Sequence, residues 1–123
     1  MEIGISHTTT MRVEPSSTAE YIGSGDLAVL ATPVMCAIME NAAMMAVAPH
    51  LEEGQTSVGT ALNIEHTRAT KVGTIVSATA TLTAINNREL KFDITACDAD
   101  GVIGKGSHTR FIVNRERFMA KLG

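Results

Sequence analysis

The stretch LAVLATPVMCAIMENAAMMAVAP, residues 27–49, carries one charged residue, Glu40, among mostly apolar side chains. Thr32 suits a helix N-cap because its hydroxyl can accept a hydrogen bond from a free amide, and Pro33 suits the next position. Pro49 ends the helix, since proline cannot continue one. Between these limits, apolar side chains recur at helical spacing at Met35, Ile38, Met39, Ala42, Met45 and Ala46. The stretch predicts one helix, apolar nearly all round and buried on most sides.

After Gly54 the pattern changes to an alternation of apolar and polar residues, which is typical of strands. The turn sequences NN and DADG separate the later alternating segments. The predicted strands are His7–Val13, 57–67, 76–84, 90–96 and Val102–Val113. One buried helix with a meander of antiparallel strands predicts an α+β fold, in which the helix packs on one face of a curled sheet.

The size and charge of the chain exclude several classes of protein. Its 123 residues suit one domain, 1–123, and its net charge of −3, without a basic run, excludes nucleic acid as a partner. No uninterrupted apolar run approaches the ~20 residues of a membrane span, and the start MEIGISHTTT does not resemble a signal peptide. We therefore expect a cytoplasmic protein without membrane contact, in which Cys36 and Cys97 are free thiols.

Glu40 raises the question of function because burying an ionised carboxylate without partners is costly. Either its side chain reaches solvent at the helix edge, or it faces a second polar group inside. Strand alternation puts His66 with Leu62 and Ile64 on the face that meets the helix. An ordinary buried histidine is one interpretation of His66. The other is an acid–base pair of Glu40 with His66, which would operate near neutral pH.

Other polar residues are weaker candidates for the same site. Thr32 would add a hydroxyl or only cap the helix, and it lies roughly 12 Å from Glu40 along the helix axis. One small atom can therefore contact both only if the side chains converge or two subunits share the site. Gly59 would let a substrate approach bare backbone, or it marks a bulge or a close helix contact. Arg110 shares a strand face with His108 and would bind an anion or lie on the surface. The histidines lack ligand spacing, so we predict no metal.

Two segments, ATPVMCAIMENAAMMAVAPHLEEGQTSVGTALNIEHTRAT and GKGSHTRFIVNRERF, resemble the hotdog-fold acyl-CoA thioesterases, and most of all the fluoroacetyl-CoA thioesterase group. The resemblance runs from about Leu30 to Arg117. It implies a long central helix wrapped by a curved antiparallel sheet, and two subunits that form active sites at their interface. Position by position, it implies these roles: catalysis by Thr32, Glu40 and His66, a glycine beside the substrate carbonyl at Gly59, and a pocket arginine at Arg110.

The function implied by the resemblance is hydrolysis of an acyl-CoA thioester in a homodimer or a dimer of dimers. Coenzyme A would enter only as part of the substrate, with no other cofactor, and Arg68 and Lys71 are candidates to contact its phosphates. The fluoroacetyl enzyme closes its pocket with aromatic lid residues before the helix, whereas residues 21–30 here contain no Phe. Another short or medium acyl group is therefore as compatible with this sequence as the fluoroacetyl group. The alternatives are a non-catalytic acyl-CoA binding module and, with less support, a hotdog enoyl-CoA hydratase.

Overall fold

The elements follow the predicted order of one strand, a long helix and four further strands, but only the last three strands form the predicted meander. A computed structural model describes residues 1–123. The strands are β1 (Ser6–Arg12), β2 (Gln55–His66), β3 (Ile75–Asn86), β4 (Glu89–Asp98) and β5 (Gly101–Asn114). The helices are α1 (Ala19–Ile22), α2 (Thr32–Val47) and α3 (Arg115–Ala120), with 3-10 turns at Pro15–Ser17 and Ala48–His50. None of the helices combines the length and the apolar character that crossing a membrane requires.

The five strands form one antiparallel sheet in the order β1-β3-β4-β5-β2. Strands β3, β4 and β5 follow one another as a meander, while β1 and β2 occupy the two edges. Helix α2 packs against the concave side of this sheet and contacts β1, β2, β3 and β4. The predicted α+β architecture, a central helix wrapped by a curled antiparallel sheet, is confirmed.

The core lies between α2 and the inner face of β3. That face consists of Val76, Ala78, Ala80 and Leu82, all fully buried. Small side chains in the middle of the strand let the helix approach the sheet closely. The opposite side of the helix carries an exposed stripe with a spacing of four residues, made of Pro33, Ala37, Asn41 and Met45. The prediction that α2 is buried on most sides is confirmed, because outside this stripe every helix residue after Thr32 is buried or half-buried.

The first turn of α2 differs from the predicted one by a single residue. Ala31 is the N-cap, and Thr32 is already helical, with Pro33 in the first turn. The Thr32 hydroxyl makes no capping bond to the backbone and bonds to a side chain on β2 instead. The predicted capping role of Thr32 is wrong, because a tertiary hydrogen bond has taken its place.

Strand β2 contains a register shift that strict alternation does not reveal. Gly59 pairs with Arg110, Ala61 with Thr109, and Leu62 with His108, so that Thr60 is an extra residue. Because the bulge inserts one residue, side chains that precede it change face relative to those that follow. As a result Gly59 lies on the same face as Leu62 and His66, although simple alternation assigns it to the opposite one.

Candidate active site

Thr32 and His66 form one part of the candidate site, where the N-terminus of α2 meets the end of β2. Thr32 Oγ1 lies 2.8 Å from Nδ1 of His66. Burial lowers the pKa of His66, so the ring is neutral at neutral pH and can accept a proton. Its other nitrogen, Nε2, is buried without a hydrogen-bond partner. A hydroxyl beside a neutral imidazole is suited to moving a proton to or from a bound molecule.

A cleft of about 290 Å³ opens directly over this pair. The region before α2 forms one wall, and the end of β2 with the residues after it forms the other. The lining residues are Ala19, Ser24, Val29, Leu30, Thr32, His66, Thr67, Arg68 and Ala69. A small molecule in this cleft would meet both the hydroxyl and the imidazole.

Glu40 belongs to a second part of the site, two helical turns beyond Thr32. A Cβ atom placed on Gly59 would lie 2.8 Å from Oε2 of Glu40, 3.1 Å from Cε1 of His108 and 3.4 Å from Nη1 of Arg110. The three side chains therefore converge where Gly59 has no side chain of its own. Of the two interpretations of Gly59, the close helix contact is confirmed, and the neighbour is the helix carboxylate. The approach of a substrate to the Gly59 backbone stays a prediction.

Arg110 is buried, with 6% of its surface exposed, so the alternative of a surface arginine is wrong. Its Nε donates to Ser57 Oγ at 2.8 Å and its Nη2 to the Ser57 carbonyl at 2.9 Å. Burial lowers the pKa of Arg110, and the charge of Glu40 opposes that effect. The guanidinium nevertheless makes no ion pair with Glu40. The only ion pair of the chain joins Arg68 to Asp98. The Glu40 carboxylate is therefore free to contact water or substrate.

The pairing of Glu40 with His66 stays a prediction, but within one chain the two side chains make no ion pair with each other. His66 bonds to Thr32, whereas the charge of Glu40 acts on the pKa values of Cys36, His108 and Arg110. The reason is strand length, because the residues from Gly59 to His66 span roughly 20 Å of extended chain. The correct face was predicted for His66, but not its position along the helix. Contacts of this kind depend on how helix and strand cross, which neither pattern contains.

Arg68 and Lys71 lie beside the cleft in different electrostatic states. The Arg68 guanidinium forms an ion pair with Asp98 and donates to the carbonyl of Gly101 at 3.1 Å. The hydrogen bond that Arg68 donates to the Asp98 carboxylate lowers the pKa of Asp98. Lys71 lines the neighbouring hollow and has no ion-pair partner. Of the two predicted phosphate contacts, Lys71 is the one whose charge is not already neutralised.

Sequence reasoning overlooked Ser57, the buried partner of Arg110. Nothing in the alternation of β2 separates it from other small polar residues, because its role depends on the pairing of β2 with β5. No group of three or more His, Cys, Asp or Glu side chains is placed to hold a metal ion. Cys36 and Cys97 are free thiols.

The family model described as fluoroacetyl-CoA-specific thioesterase (FlK) matches residues 13–116. The chain belongs to the FlK family. It is accordingly a thioesterase, as the resemblance implied. The fluoroacetyl-CoA thioesterase of Streptantibioticus cattleyicolor is 37% identical over 128 residues, covering 99% of this chain and 92% of that protein.

Solved structures agree with this assignment. A variant of the FlK thioesterase in complex with fluoroacetate and CoA has a TM-score of 0.90 and 35% identity, covering 96% of this chain and 99% of that one. A hot-dog-like protein from Thermanaerovibrio acidaminovorans has a TM-score of 0.90 at 19% identity, covering 99% of this chain and 90% of that one. The second comparison concerns the fold alone, and the hotdog fold of this FlK-family chain is confirmed.

Proposed function

We propose that the chain hydrolyses an acyl-CoA thioester with a short or medium acyl group to the free acid and coenzyme A. The observation that carries the proposal is the Thr32–His66 hydrogen bond at 2.8 Å in the wall of an open cleft. Fluoroacetate and CoA, bound together in the FlK variant, are an acid and a thiol of the kind that thioester hydrolysis releases. We expect the enzyme to be cytoplasmic and to need no cofactor beyond the coenzyme A of its substrate.

Glu40 would act on the thioester as a base or as a nucleophile. As a base, it takes a proton from water while the water oxygen bonds to the carbonyl carbon. The carbon–sulfur bond then breaks, and CoA departs as a thiolate that takes up a proton. As a nucleophile, Glu40 bonds to the carbonyl carbon and displaces CoA as a thiolate, which takes up a proton; water then hydrolyses the resulting acyl anhydride to the free acid and regenerates the carboxylate. In both cases Gly59 leaves space beside the carboxylate, and its backbone N–H is a candidate donor to the carbonyl oxygen.

Thr32 and His66 would serve the carbonyl and the proton. The Thr32 hydroxyl orients the carbonyl or the water. Neutral His66 receives through this hydroxyl the proton that Glu40 took from the water, and delivers it to the leaving thiolate. Lys71 would contact the phosphates of CoA at the mouth of the cleft, while Arg68 remains paired with Asp98. Arg68 and Arg110 are the two predicted site residues that take no direct part in these steps.

A shared site in a homodimer, or in a dimer of dimers, would bring the two parts of the machinery together. Within one chain Glu40 faces Gly59, whereas Thr32 faces His66. Strand β2 carries residues of both parts and is an edge strand with one unpaired side. We infer that Glu40 of the partner subunit completes the Thr32–His66 pair across the interface.

Thiol release from a panel of acyl-CoA esters tests the proposed hydrolysis. We expect turnover of at least one short or medium ester, and a strong loss in Thr32→Val, which keeps the side-chain shape without the hydroxyl. Exposed Thr83 provides the matched control, since Thr83→Val should leave turnover unchanged. Absence of turnover on every chain length, with a folded wild-type protein, would contradict the proposal. Hydration of an enoyl-CoA without thiol release would instead favour the hydratase.

A further inference from the structure

His108 lies in the middle of β5, and the mechanism above does not use it. Its side chain is 1% exposed, and its ring packs beside Phe92 with centroids 6.1 Å apart. Its Nδ1 lies 2.7 Å from the carbonyl oxygen of Ala61, next to the register shift in β2. A carbonyl oxygen can only accept a hydrogen bond, so Nδ1 must carry a proton.

The other ring nitrogen has a partner of the opposite kind. Nε2 of His108 lies 3.1 Å from Nη1 of Arg110, and a guanidinium nitrogen can only donate. Nε2 must therefore be unprotonated, which makes the ring neutral and determines its tautomer. The two contacts orient the ring between a fixed backbone carbonyl and the arginine.

The Arg110 guanidinium is consequently held at all three of its nitrogens. Nε and Nη2 donate to Ser57, and Nη1 donates to His108. The held group lies beside the position where Glu40 meets Gly59. A guanidinium held in this way keeps its positive charge close to the Glu40 carboxylate without bonding to it.

Protonation of His108 would disrupt this arrangement. The charged groups that act on the ring are Arg110 on its own strand and Glu40 on α2. Its neighbours Ala61 on β2 and Phe92 on β4 carry no charge. A proton on Nε2 would remove the acceptor for Nη1 and place two cations at hydrogen-bond distance. Burial also lowers the pKa of His108, which favours the neutral ring.

We propose that His108, as its neutral Nδ1–H tautomer, is a positioning residue that holds the Arg110 guanidinium beside Glu40 and Gly59 for the proposed hydrolysis. The role of His108 in turnover rests on the proposed function. The arrangement of the ring and the guanidinium is independent of the substrate. His108 acts through Arg110 and does not itself touch the reacting atoms.

The kinetic test compares His108→Phe with His108→Gln. Phenylalanine keeps the packing on Phe92 but offers Arg110 no acceptor, whereas one glutamine amide supplies both an acceptor and donors. Losing a hydrogen bond to a charged group should lower kcat/KM for the preferred acyl-CoA by roughly 10- to 100-fold in His108→Phe. His108→Gln should recover most of that loss. Equal losses in the two variants would overturn the proposal.

Arg110→Met provides the decisive background for a double-mutant cycle. If His108 acts through Arg110, adding His108→Phe to Arg110→Met should change kcat/KM by less than about threefold. A further loss as large as in the wild-type background would overturn the proposal, because it would show an action independent of the guanidinium. Thermal unfolding of each variant verifies that the compared proteins are folded.

Nitrogen-15 NMR of the histidine rings in the whole wild-type protein tests the arrangement without substrate. We expect the His108 signals of a neutral ring with a proton on Nδ1 and none on Nε2 at neutral pH. The Nε2–H tautomer or a charged ring would overturn the proposal. A wild-type protein with the expected tautomer but no turnover of any acyl-CoA would contradict the proposed hydrolysis while supporting the arrangement, so the two failures are distinguishable.

Discussion

At the scale of single residues, the candidate site depends on a missing side chain and a neutral ring. Gly59 leaves room for Glu40, and the neighbouring Arg110 is fixed by bonds to Ser57 and His108. A methyl group at Gly59 therefore has only one neighbour able to give way, the flexible end of Glu40. His66 in turn functions as a proton acceptor only while its ring is neutral.

Gly59→Ala should strongly lower the turnover rate while changing the stability of the fold only slightly. The new Cβ would lie 2.8 Å from Oε2 of Glu40, so the carboxylate must move, while the chain keeps a residue tolerated in strands. A displacement of about 1 Å in a catalytic group can cost roughly 100-fold in rate. We expect a loss of that order in kcat by thiol release, with a small change in Tm. Thr60→Ala, at the exposed next residue, is the control. Unchanged kcat in Gly59→Ala would show that Glu40 needs no fixed position.

Protonation of His66 at acid pH should lower both the stability of the folded protein and its turnover. Its pKa is lowered in the folded state from the ordinary 6.5, so the unfolded chain takes up the proton first as pH falls. The free energy of unfolding should therefore decrease below pH 6.5 and level off below the folded pKa, and His108 adds an effect of the same sign. Urea unfolding at about pH 7.5 and about pH 5.5 measures the difference.

The same shift predicts that the acid limb of kcat/KM has its midpoint below 6.5, because neutral His66 persists to lower pH than a free imidazole. Exposed His50, which lies outside the candidate site, supplies the control, since His50→Asn should leave the acid limb of kcat/KM where it is in the wild type. A midpoint above 6.5 would mean that His66 is not the group that titrates in turnover.

At the scale of the elements, α2 has two tasks that occupy different faces. One face packs on the small side chains of β3, while residues at its edge, Thr32 and Glu40, meet β2. Met39 and Met45 separate these faces clearly, with 0% and 40% exposure. The same substitution at each position therefore isolates the contribution of burial.

Met39→Ala should destabilise the protein by about 2–5 kcal/mol, because it removes apolar contacts and leaves a cavity between helix and sheet. Met45→Ala on the exposed stripe should cost less than about 1 kcal/mol. Chemical denaturation of both variants beside the wild type gives the two values. Equal costs would contradict the assignment of the helix faces.

At the scale of the whole molecule, the question is whether one subunit or two supply the residues of the site. One chain presents Thr32 with His66 and, separately, Glu40 with Gly59. The proposed homodimer unites them across the interface. Whether the parts belong to one subunit or two can be measured without a structure of the assembly.

Mixing two inactive variants distinguishes these cases. Thr32→Val and Glu40→Gln should each be inactive, since each lacks one part of the site. If two subunits share a site, each mixed dimer regains one intact site. Random exchange of equal amounts makes half of the dimers mixed, which restores about a quarter of wild-type thiol release. Each variant incubated alone is the control, and a mixture no more active than its components would place the complete site within one subunit.

Much of the fold was predictable because it depends on local patterns. Helical spacing in residues 27–49 identified α2, and alternation identified the strands and the inner face of β3. The errors came from contacts distant in sequence. Thr32 was expected to cap its helix but bonds to His66, and Gly59 changed face because of the extra residue Thr60. A bulge leaves little trace in an alternating pattern.

The sequence by itself determined the α+β fold and the set of polar residues available for chemistry, because the periodicity of apolar side chains specifies which faces are buried. Family resemblance added the thioesterase class. Only the tertiary structure decided which polar residues meet: Thr32 with His66, Glu40 with Gly59, and Arg110 with Ser57 and His108. The physical reason is that these meetings depend on strand register and on the crossing of helix and sheet. Both are set by packing over the whole molecule rather than by any one segment.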